Sequence, residues 1–478
     1  MIQLSERALN IRDFFNGIAP KIAKYRSFRN YYWNDIINYC NFYIHKQDSV
    51  LEIGCGNGDA LNKLKGKEKY GIDFSEELII LGKKNHPQIN FSCQDAHHFS
   101  IEKKFDVIVI ANTVGLLDDV QIVFEQIKKV SHQQTKIIIS NYSRVWEPFL
   151  KLGELIGLKK KAPEQNWLSN SDIKNMLSLA GLEGFRSTRR MILPINIPII
   201  SWVMNKYIAR LPLFNIFCIH NYVNARLMQN VNTDVDKLYT TTVVVPARNE
   251  SGNIEAAINR LPKFGKHIEL IFVEGNSTDD TWAKIQDMAE KYQSDYDIKI
   301  CQQPGKGKGD AVRKGYSIAT GDILMILDAD LTVQPEELPK FYHALASGKA
   351  EFINGCRLVY PMDKKAMRFL NMLGNHFFSK VFSWLLEQPI KDTLCGTKVM
   401  FRKDYIKLVE NRSFFGEFDP FGDYDLLFGA YKLNLKIMDL PIRYKERTYG
   451  DTNISRFKHG LLLLRMCSFA AGKIKFVG

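Results

Sequence analysis

Apolar runs too short to be helices recur along the chain, each running into polar or glycine-containing residues and then into a stretch of helical length. In the first half they cover residues 49–53, 70–73, 89–93, 105–110 and 135–140; in the second, 241–245, 268–273, 298–301 and 323–327. Continuous rather than alternating apolarity is what a strand needs when both faces of a parallel sheet are covered, and intervening helix-length stretches predict βαβ units. The alternation runs through five strands, stops at the polar stretch 228–237, and restarts at Tyr239. The expected fold class is therefore α/β, with two doubly wound domains at 1–228 and 239–478 and a linker at 229–238.

Three regions depart from this rhythm. Residues 1–47 read as helices rich in aromatic and basic groups, among them Phe14, Phe15, Tyr25, Phe28, Tyr31, Tyr32 and Trp33. Aromatics at helical spacing predict packing on the following sheet, with substrate contact as the alternative. Residues 191–223 are apolar and broken by Pro194 and Pro198; their charge-free part is shorter than the roughly 20 residues a bilayer span needs, which leaves a lid or a membrane-seated element. Residues 439–478 carry eight basic and three acidic residues beside Leu461–Leu464, Met466 and Phe469. That pattern predicts an interfacial anchor on anionic lipid or a basic helix packed on its own domain. The helix at 170–179 has a capping-type start, Ser169-Asn-Ser-Asp172, and a stop at Gly181.

Composition narrows the partners. A chain of 478 residues with 45% hydrophobic and 24% charged residues is globular, and a formal charge of +13 calls for an acidic partner. Nucleic acid, anionic lipid and phosphorylated substrates all qualify, and the absence of a nucleic-acid-binding motif points away from the first. Eight scattered cysteines without a C-x-x-C pair exclude a zinc framework and suit a reducing compartment. The first residues do not read as a signal peptide, so a cytoplasmic chain is expected.

Candidate chemistry sits where the apolar runs end. The first run leads into Glu52-Ile-Gly-Cys-Gly-Asn-Gly58, whose glycines allow a sharp turn and close backbone approach to a ligand. A dinucleotide fingerprint would place glycine at 59; Asp59 stands there and opposes a pyrophosphate, so a nicotinamide cofactor is disfavoured. The second run ends in Asp73, the position that binds ribose hydroxyls in nucleotide-binding units. Then come Gln94-Asp95 and an exit loop, 111–118, with Val114-Gly115 at its centre. Asp106 reads as a structural strand residue, and His97 and His98 as surface residues. Together these motifs resemble the class I S-adenosylmethionine-dependent methyltransferases over roughly residues 10–225. The resemblance implies that Glu52, Gly54, Gly56 and Gly58 shape the methionine pocket, that Asp73 holds the ribose, and that Asp95 lies beside the adenine. Many relatives carry a histidine where this chain has Val114-Gly115.

In the second half the run 323–327 ends in Asp328-Ala-Asp330, two carboxylates at the edge where α/β sheets bind ligands. Before it come Pro246-Ala-Arg-Asn-Glu250, Glu274-Gly-Asn-Ser-Thr-Asp-Asp-Thr281 and Gly305-Lys-Gly-Lys-Gly-Asp-Ala311. The last lacks P-loop spacing, which excludes a nucleotide triphosphatase. In this order the four motifs resemble family 2 glycosyltransferases of the GT-A fold, and within them the dolichol-phosphate mannosyltransferase group. The resemblance implies that Pro246, Arg248, Glu250, Glu274 and Asp310 bind a nucleotide-sugar, that Arg357 meets phosphate, and that Asp328 and Asp330 hold Mg²⁺ or Mn²⁺. It further implies a catalytic acidic residue at Asp425, or at Asp423, and a phosphate ligand at Arg447. The helix 368–386 and the turn 392–398 would face the acceptor.

The expectation is a bifunctional transferase, peripheral at the inner face of the cell membrane. Its second half would pass a sugar to a polyprenyl phosphate or lipid-linked acceptor, metal-dependent and inverting, and its first would use S-adenosylmethionine to methylate an unidentified acceptor. The alternative is a glycosyltransferase that extends a polysaccharide or glycolipid hydroxyl, with the first half a non-catalytic binding module.

Overall fold

Two seven-stranded sheets organise the chain. The computed structural model describes residues 5–22, 30–156, 163–228, 235–359, 369–410, 422–445, 449 and 456–476. They fall into two compact units, Met1–Met228 with Lys475–Gly478, and Gln229–Ile474. Of the expected linker, 229–234 lies outside the described residues; Val235 is buried in the core of the second unit, where its carbonyl accepts the Tyr342 hydroxyl at 2.7 Å.

In the first unit β1 (Ser49–Ile53), β2 (Glu68–Asp73), β3 (Asn90–Cys93), β4 (Phe105–Ala111), β5 (Ser131–Tyr142), β6 (Leu182–Arg190) and β7 (His220–Leu227) lie in the order β3-β2-β1-β4-β5-β7-β6. Strands β1 to β5 pair in parallel; β7 runs antiparallel to both β5 and β6. Leu51, Ile53, Ile108 and Ile110 pack into one core layer, and Val50, Val107 and Val109 into the other, so both faces are covered as the continuous apolar runs require. Ser75 and Asp119 cap the helices Glu76–Asn85 and Val120–Lys129, and Ser169 and Asp172 form the anticipated capping box of Asn170–Leu179. Asp106 accepts both the backbone N–H and the hydroxyl of Ser49 at 2.8 Å, a structural role. All eight cysteines are free.

The region 191–223 is not one apolar element. It holds the helix Ile200–Lys206 and then enters β7, whose eight residues are all buried although half are polar. Two of the polar side chains of β7 have partners from elsewhere in the unit. Tyr39 donates its hydroxyl to Asn224 Oδ1 at 3.0 Å, and Arg226 pairs with Glu183 at 3.3 Å. Next to them the guanidinium of Arg190 forks onto Asp35, with Nη2 at 2.6 Å from Oδ1. Burial alone would raise the Asp35 carboxyl; Arg190 outweighs it and holds the group at about 2.

His220, the first residue of β7, is 1% exposed, and its ring lies 4.3 Å from that of Tyr32 and 5.6 Å from that of Tyr142. Neither ring nitrogen has a hydrogen-bond partner among the described residues, and burial drives its pKa down to about 4.

In the second unit β8 (Thr240–Ala247), β9 (His267–Glu274), β10 (Asp297–Gln302), β11 (Ile323–Ile326), β12 (Phe352–Cys356), β13 (Lys398–Phe401) and β14 (Ile437–Pro441) lie in the order β10-β9-β8-β11-β13-β12-β14. Again one strand is reversed: β13 runs antiparallel to β11 and β12. The helices Thr281–Tyr292, Lys308–Ile318 and Leu338–Ala346 follow β9, β10 and β11. The helix Phe369–Leu386 packs against Arg456–Ile474, which buries Leu463, Met466 and Ala470 and exposes Leu461, Leu464 and Phe469. Among the described residues no helix is long and apolar enough to cross a membrane.

A buried histidine held neutral binds its proton only on unfolding, so it costs stability as pH falls from about 6.5 towards about 4. His220→Phe, which keeps the ring and removes the proton site, should flatten the acid-side loss of first-unit stability by up to about 1.4 kcal/mol per pH unit. Urea unfolding of wild type and variant at pH 7, 6 and 5 checks this; parallel pH profiles would contradict it.

Candidate functional site

The first unit encloses a cavity of about 530 Å³ at the carboxyl edge of its sheet. Glu52, Gly54, Gly56, Asp73 and Asp95 all line it, whereas Gly58 does not. The chain turns after β1 through Gly54, Gly56 and Gly58, each in the left-handed region. The turn carries the Gly56 N–H onto Asp73 Oδ2 at 2.8 Å, and Ser75 N–H meets the other oxygen at 2.9 Å. Burial nevertheless pushes the Asp73 carboxyl upward. Asp59 is held by Asn57 Nδ2 and the His86 ring, at 2.8 and 2.9 Å.

His97 is not a surface residue. It lines the cavity, its Nδ1 lies 2.7 Å from Asp95 Oδ1, and its Nε2 accepts the Asp119 N–H at 3.1 Å. That acceptor role places the imidazole proton on Nδ1, and the bond to Asp95 raises the pKa of the ring. The tight turn from Asp95 to His98, closed by a 3.0 Å backbone bond, aims 97 inward and leaves 98 exposed. Burial opposes ionisation of Asp95, but the His97 bonds lower its carboxyl below the ordinary value.

Beyond this polar rim the cavity is aromatic. Phe14, Phe15, Tyr32, Trp33, Tyr142 and Trp146 line it, so part of the N-terminal aromatic set faces a ligand space while Tyr39 and Tyr43 pack in the core; Tyr25 and Phe28 lie outside the described residues. At the exit of β4, Asn112 adopts a left-handed backbone (φ 56°) and donates its amide to the Tyr32 hydroxyl at 2.8 Å. Sequence reasoning missed Asn112, Tyr142 and His220. Asn112 lay within the exit loop it had singled out, but its strained backbone left no separate mark.

In the second unit Asp328 Oδ1 lies 2.6 Å from Lys308 Nζ, and Asp330 Oδ1 accepts the N–H and hydroxyl of Thr332 at 3.1 and 2.8 Å. A β-carbon on Gly396, just before β13, would overlap both the Asp328 carboxylate and the Lys308 amine, so a larger residue there would have to displace the pair. Lys445 N–H donates to Thr332 O at 3.1 Å and Tyr444 bridges Val333, which sets 444–445 beside the aspartate pair. Arg447 lies outside the described residues. Asp425 stands in the first turn of the helix Asp423–Lys432, whose cap Gly422 packs on Gly309, next to Lys308. The side chain of Asp423 is outside the described set.

Pro246 ends β8 with Ala247, and Arg248 is exposed. Glu250 is buried, accepts Asn253 Nδ2 at 2.7 Å, and donates its own N–H to Thr281 Oγ1 at 2.9 Å. Burial would raise Glu274, but the Ser277 N–H at 2.5 Å and Gln302 Nε2 at 3.0 Å hold it below the ordinary carboxylate range. Asp310 accepts Gly305 N–H at 2.7 Å and so closes the glycine-lysine loop. Tyr449, unremarked in the sequence, sets its hydroxyl 3.1 Å from Ser251 Oγ and its ring over Gly252.

Arg357 departs from expectation. Its Nε and Nη2 grip the fully buried Asp392 at 2.7 and 2.9 Å, and its guanidinium lies over the Tyr444 ring at 5.1 Å. A bidentate buried pair of this kind positions the edge of β12 instead of offering a fork to phosphate.

Among the described residues no three His, Cys, Asp or Glu side chains could hold a metal ion. Asp328 and Asp330 form a partial donor set, which fits a hard divalent cation that takes its other oxygens from a bound diphosphate and water. Lys308 already places positive charge against the same carboxylate.

The glycine turn is testable by steric contrast. At Gly56 the nearest atom to an added β-carbon is Leu78 Cδ1 at 3.9 Å; at Gly58 it strikes the Phe91 ring. Gly56→Ala should cost about 1–2 kcal/mol of backbone strain, and Gly58→Ala about 1–3 kcal/mol more from overpacking. Equal midpoints for the two variants in denaturant melts of the first unit would contradict this.

Residues 242–409 match the family model described as Glycosyl transferase family 2, and residues 44–181 that described as Methyltransferase domain. The chain is 26% identical over 227 residues to a dolichol-phosphate mannosyltransferase of Pyrococcus furiosus, covering 45% of this chain and 58% of the relative. It is 31% identical over 229 residues to an undecaprenyl-phosphate 4-deoxy-4-formamido-L-arabinose transferase of an Enterobacter species, covering 47% and 65%. The chain thus spans less than two thirds of the length of either relative. Among solved structures, the magnesium protoporphyrin IX methyltransferase of Synechocystis, with bound SAH, is 14% identical at a TM-score of 0.33 and covers 46% of this chain and all of that one; a score so low carries no argument. Sheet order, edge motifs and both family matches agree: the chain joins an N-terminal methyltransferase domain to a C-terminal glycosyl transferase family 2 domain.

Proposed function

We propose that residues 239–478 transfer a sugar from a nucleotide-diphosphate sugar to a polyprenyl phosphate, and that residues 1–228 transfer a methyl group from S-adenosylmethionine. The observation that carries the first reading is the Asp328–Asp330 pair at the exit of β11, with Lys308 against it and the 444–445 segment alongside. The polyprenyl-phosphate chemistry in the names of both relatives supports the acceptor class.

Asp328 and Asp330 would hold Mg²⁺ or Mn²⁺, which would supply charge neutralisation on the diphosphate. The nucleotide lies along the exits of β8 and β9, against Pro246, Arg248, Glu250 and Glu274, with Asp310 keeping the glycine-lysine loop in shape. An acceptor phosphate oxygen forms a bond to the anomeric carbon as the bond from that carbon to the diphosphate oxygen breaks, in line and with inversion. Lys308 and Arg447 stabilise the negative charge that gathers on the departing diphosphate. A phosphate is already anionic at neutral pH, so Asp425 orients the acceptor and need not remove a proton. Such an acceptor puts the chain at the cytoplasmic surface of the membrane.

In the first unit Gly54, Gly56, Asp73 and Asp95 bind the cofactor at the polar rim, which leaves the aromatic part of the cavity for the acceptor. Bound S-adenosylmethionine supplies an electrophilic methyl carbon. Transfer of that methyl to an acceptor nucleophile would break the carbon–sulfur bond and release the cofactor as a neutral thioether, held until then by the polar rim.

Labelled nucleotide sugars incubated with polyprenyl phosphate and Mn²⁺ should give an organic-extractable sugar lipid, and chelation should abolish it. Asp328→Asn and Asp330→Asn should each lower turnover on the order of a thousandfold, and Asp425→Asn by less than about tenfold. A loss of a hundredfold or more at Asp425 would indicate a hydroxyl acceptor. No lipid-linked sugar with any donor overturns the reading.

A further inference from the structure

The first unit exposes more apolar side chains in one region than solubility explains. On the helix Glu147–Leu155, Leu150 lines the cavity, while Phe149, Leu152 and Leu155 form an outward stripe at helical spacing, with Leu155 84% exposed. After β6, Ile199, Trp202, Leu213 and Phe217 are also exposed, Leu213 at 81%. The two segments adjoin: Trp146, at the start of the helix, donates its indole N–H to Phe217 O at 2.8 Å, and its ring lies 5.6 Å from that of Phe149. Ile195 lines the cavity and is 56% exposed, so the cavity wall and the apolar surface are continuous at that point.

Charge identifies the occupant. No Asp or Glu occurs between Glu183 and Asp234, and of the six Lys or Arg in that stretch Arg189 and Lys206 are the two that are not buried. Lys206 lies over the Trp202 ring at 5.5 Å, the pairing of aromatic and cation that suits a lipid headgroup layer. Beside the helix stripe, Glu147 is paired to Lys151 at 2.7 Å, and the first three charges after the helix in the sequence are Lys159, Lys160 and Lys161. An apolar face that carries Lys151 and Lys206 is complementary to an anionic bilayer. Ile199 also holds a left-handed backbone (φ 64°), a strained conformation for an exposed β-branched residue.

We infer that the first unit seats this surface on anionic lipid and draws its methyl acceptor from the bilayer through the adjoining cavity. The acceptor would be a lipid-borne molecule with an apolar body. The second clause rests on the methyltransferase reading above; the docking surface does not.

The full chain, mixed with vesicles of phosphatidylcholine with and without phosphatidylglycerol, should co-sediment with the anionic set. Lipids brominated in the acyl chain should quench its tryptophan emission, and Trp202→Phe should lose much of that quenching. Leu155→Glu with Leu213→Glu, both at exposed positions, should lower partitioning at least about tenfold without moving the thermal midpoint. Leu461→Glu in the second unit should keep the Trp202-dependent quenching. Equal partitioning of wild type and double variant, or quenching that does not depend on Trp202, overturns the docking surface. A lipid-independent dimer abolished by the double substitution also overturns it, in favour of a second copy. Calorimetry with S-adenosylmethionine keeps the two readings apart: a wild type that binds none of it removes the methyl-transfer reading and leaves the docking result standing. Methyl label recovered only in water-soluble product overturns the acceptor class.

Discussion

A reversed strand inside a parallel sheet delivers its first residue, not its last, to the edge where the parallel strands deposit their exit loops. Both sheets contain one. In the first, β7 sets His220 opposite Tyr142, at the mouth of the exits of β4 and β5. In the second, β13 brings Gly396 and Thr397 up to Asp328, at the exit of β11. Without the reversal these groups would lie at the far end of the sheet, some 17–20 Å away for a strand of ordinary length. Ile219, which lines the first cavity just before β7, and Gly396, which lies against Asp328 just before β13, thus have the same topological origin.

The two edges manage their carboxylates differently. Asp73 is held by backbone amides alone, and burial still raises its pKa, which leaves it responsive to whatever hydroxyls or cations a ligand brings. Asp328 has a lysine against it. Metal and lysine would compete for the same carboxylate unless a diphosphate arrives with the metal and gives the ammonium another partner. On the proposed reading, that would favour joint binding of metal and donor over metal alone.

Most of the parallel framework was legible in the sequence, because a doubly covered strand writes itself as an apolar run and its ligand-binding residues follow within a few positions. The exits of β1, β2, β4, β8, β9 and β11 were all found in this way. What escaped had a physical reason. Strand β7 is buried but polar, its Asn224 and Arg226 met by Tyr39 and Glu183, and periodicity does not see partners distant in sequence. His97 reads as a loop histidine until the turn at Asp95 aims it inward. Lys308 was visible only as part of a glycine-lysine loop; its pairing with Asp328 depends on the relative placement of two strands. Arg357 occupies the anticipated position, yet Asp392, 35 residues later, claims its guanidinium.

Asp392 itself has a consequence for how such a domain can diverge. Its carboxylate accepts from the backbone N–H, Nε and Nη2 of Arg357, from Asn375 Nδ2 and from Leu394 N–H. Its carbonyl accepts from Asn354. A side chain shared among a strand end, an aromatic helix and a turn cannot drift alone, since any single replacement strands a buried guanidinium. Lineages descended from such an ancestor should keep Arg357, Asn375 and Asp392 together or lose them together. Acceptor preference on this side of the sheet would then evolve by exchange of whole segments, while point substitutions accumulate elsewhere.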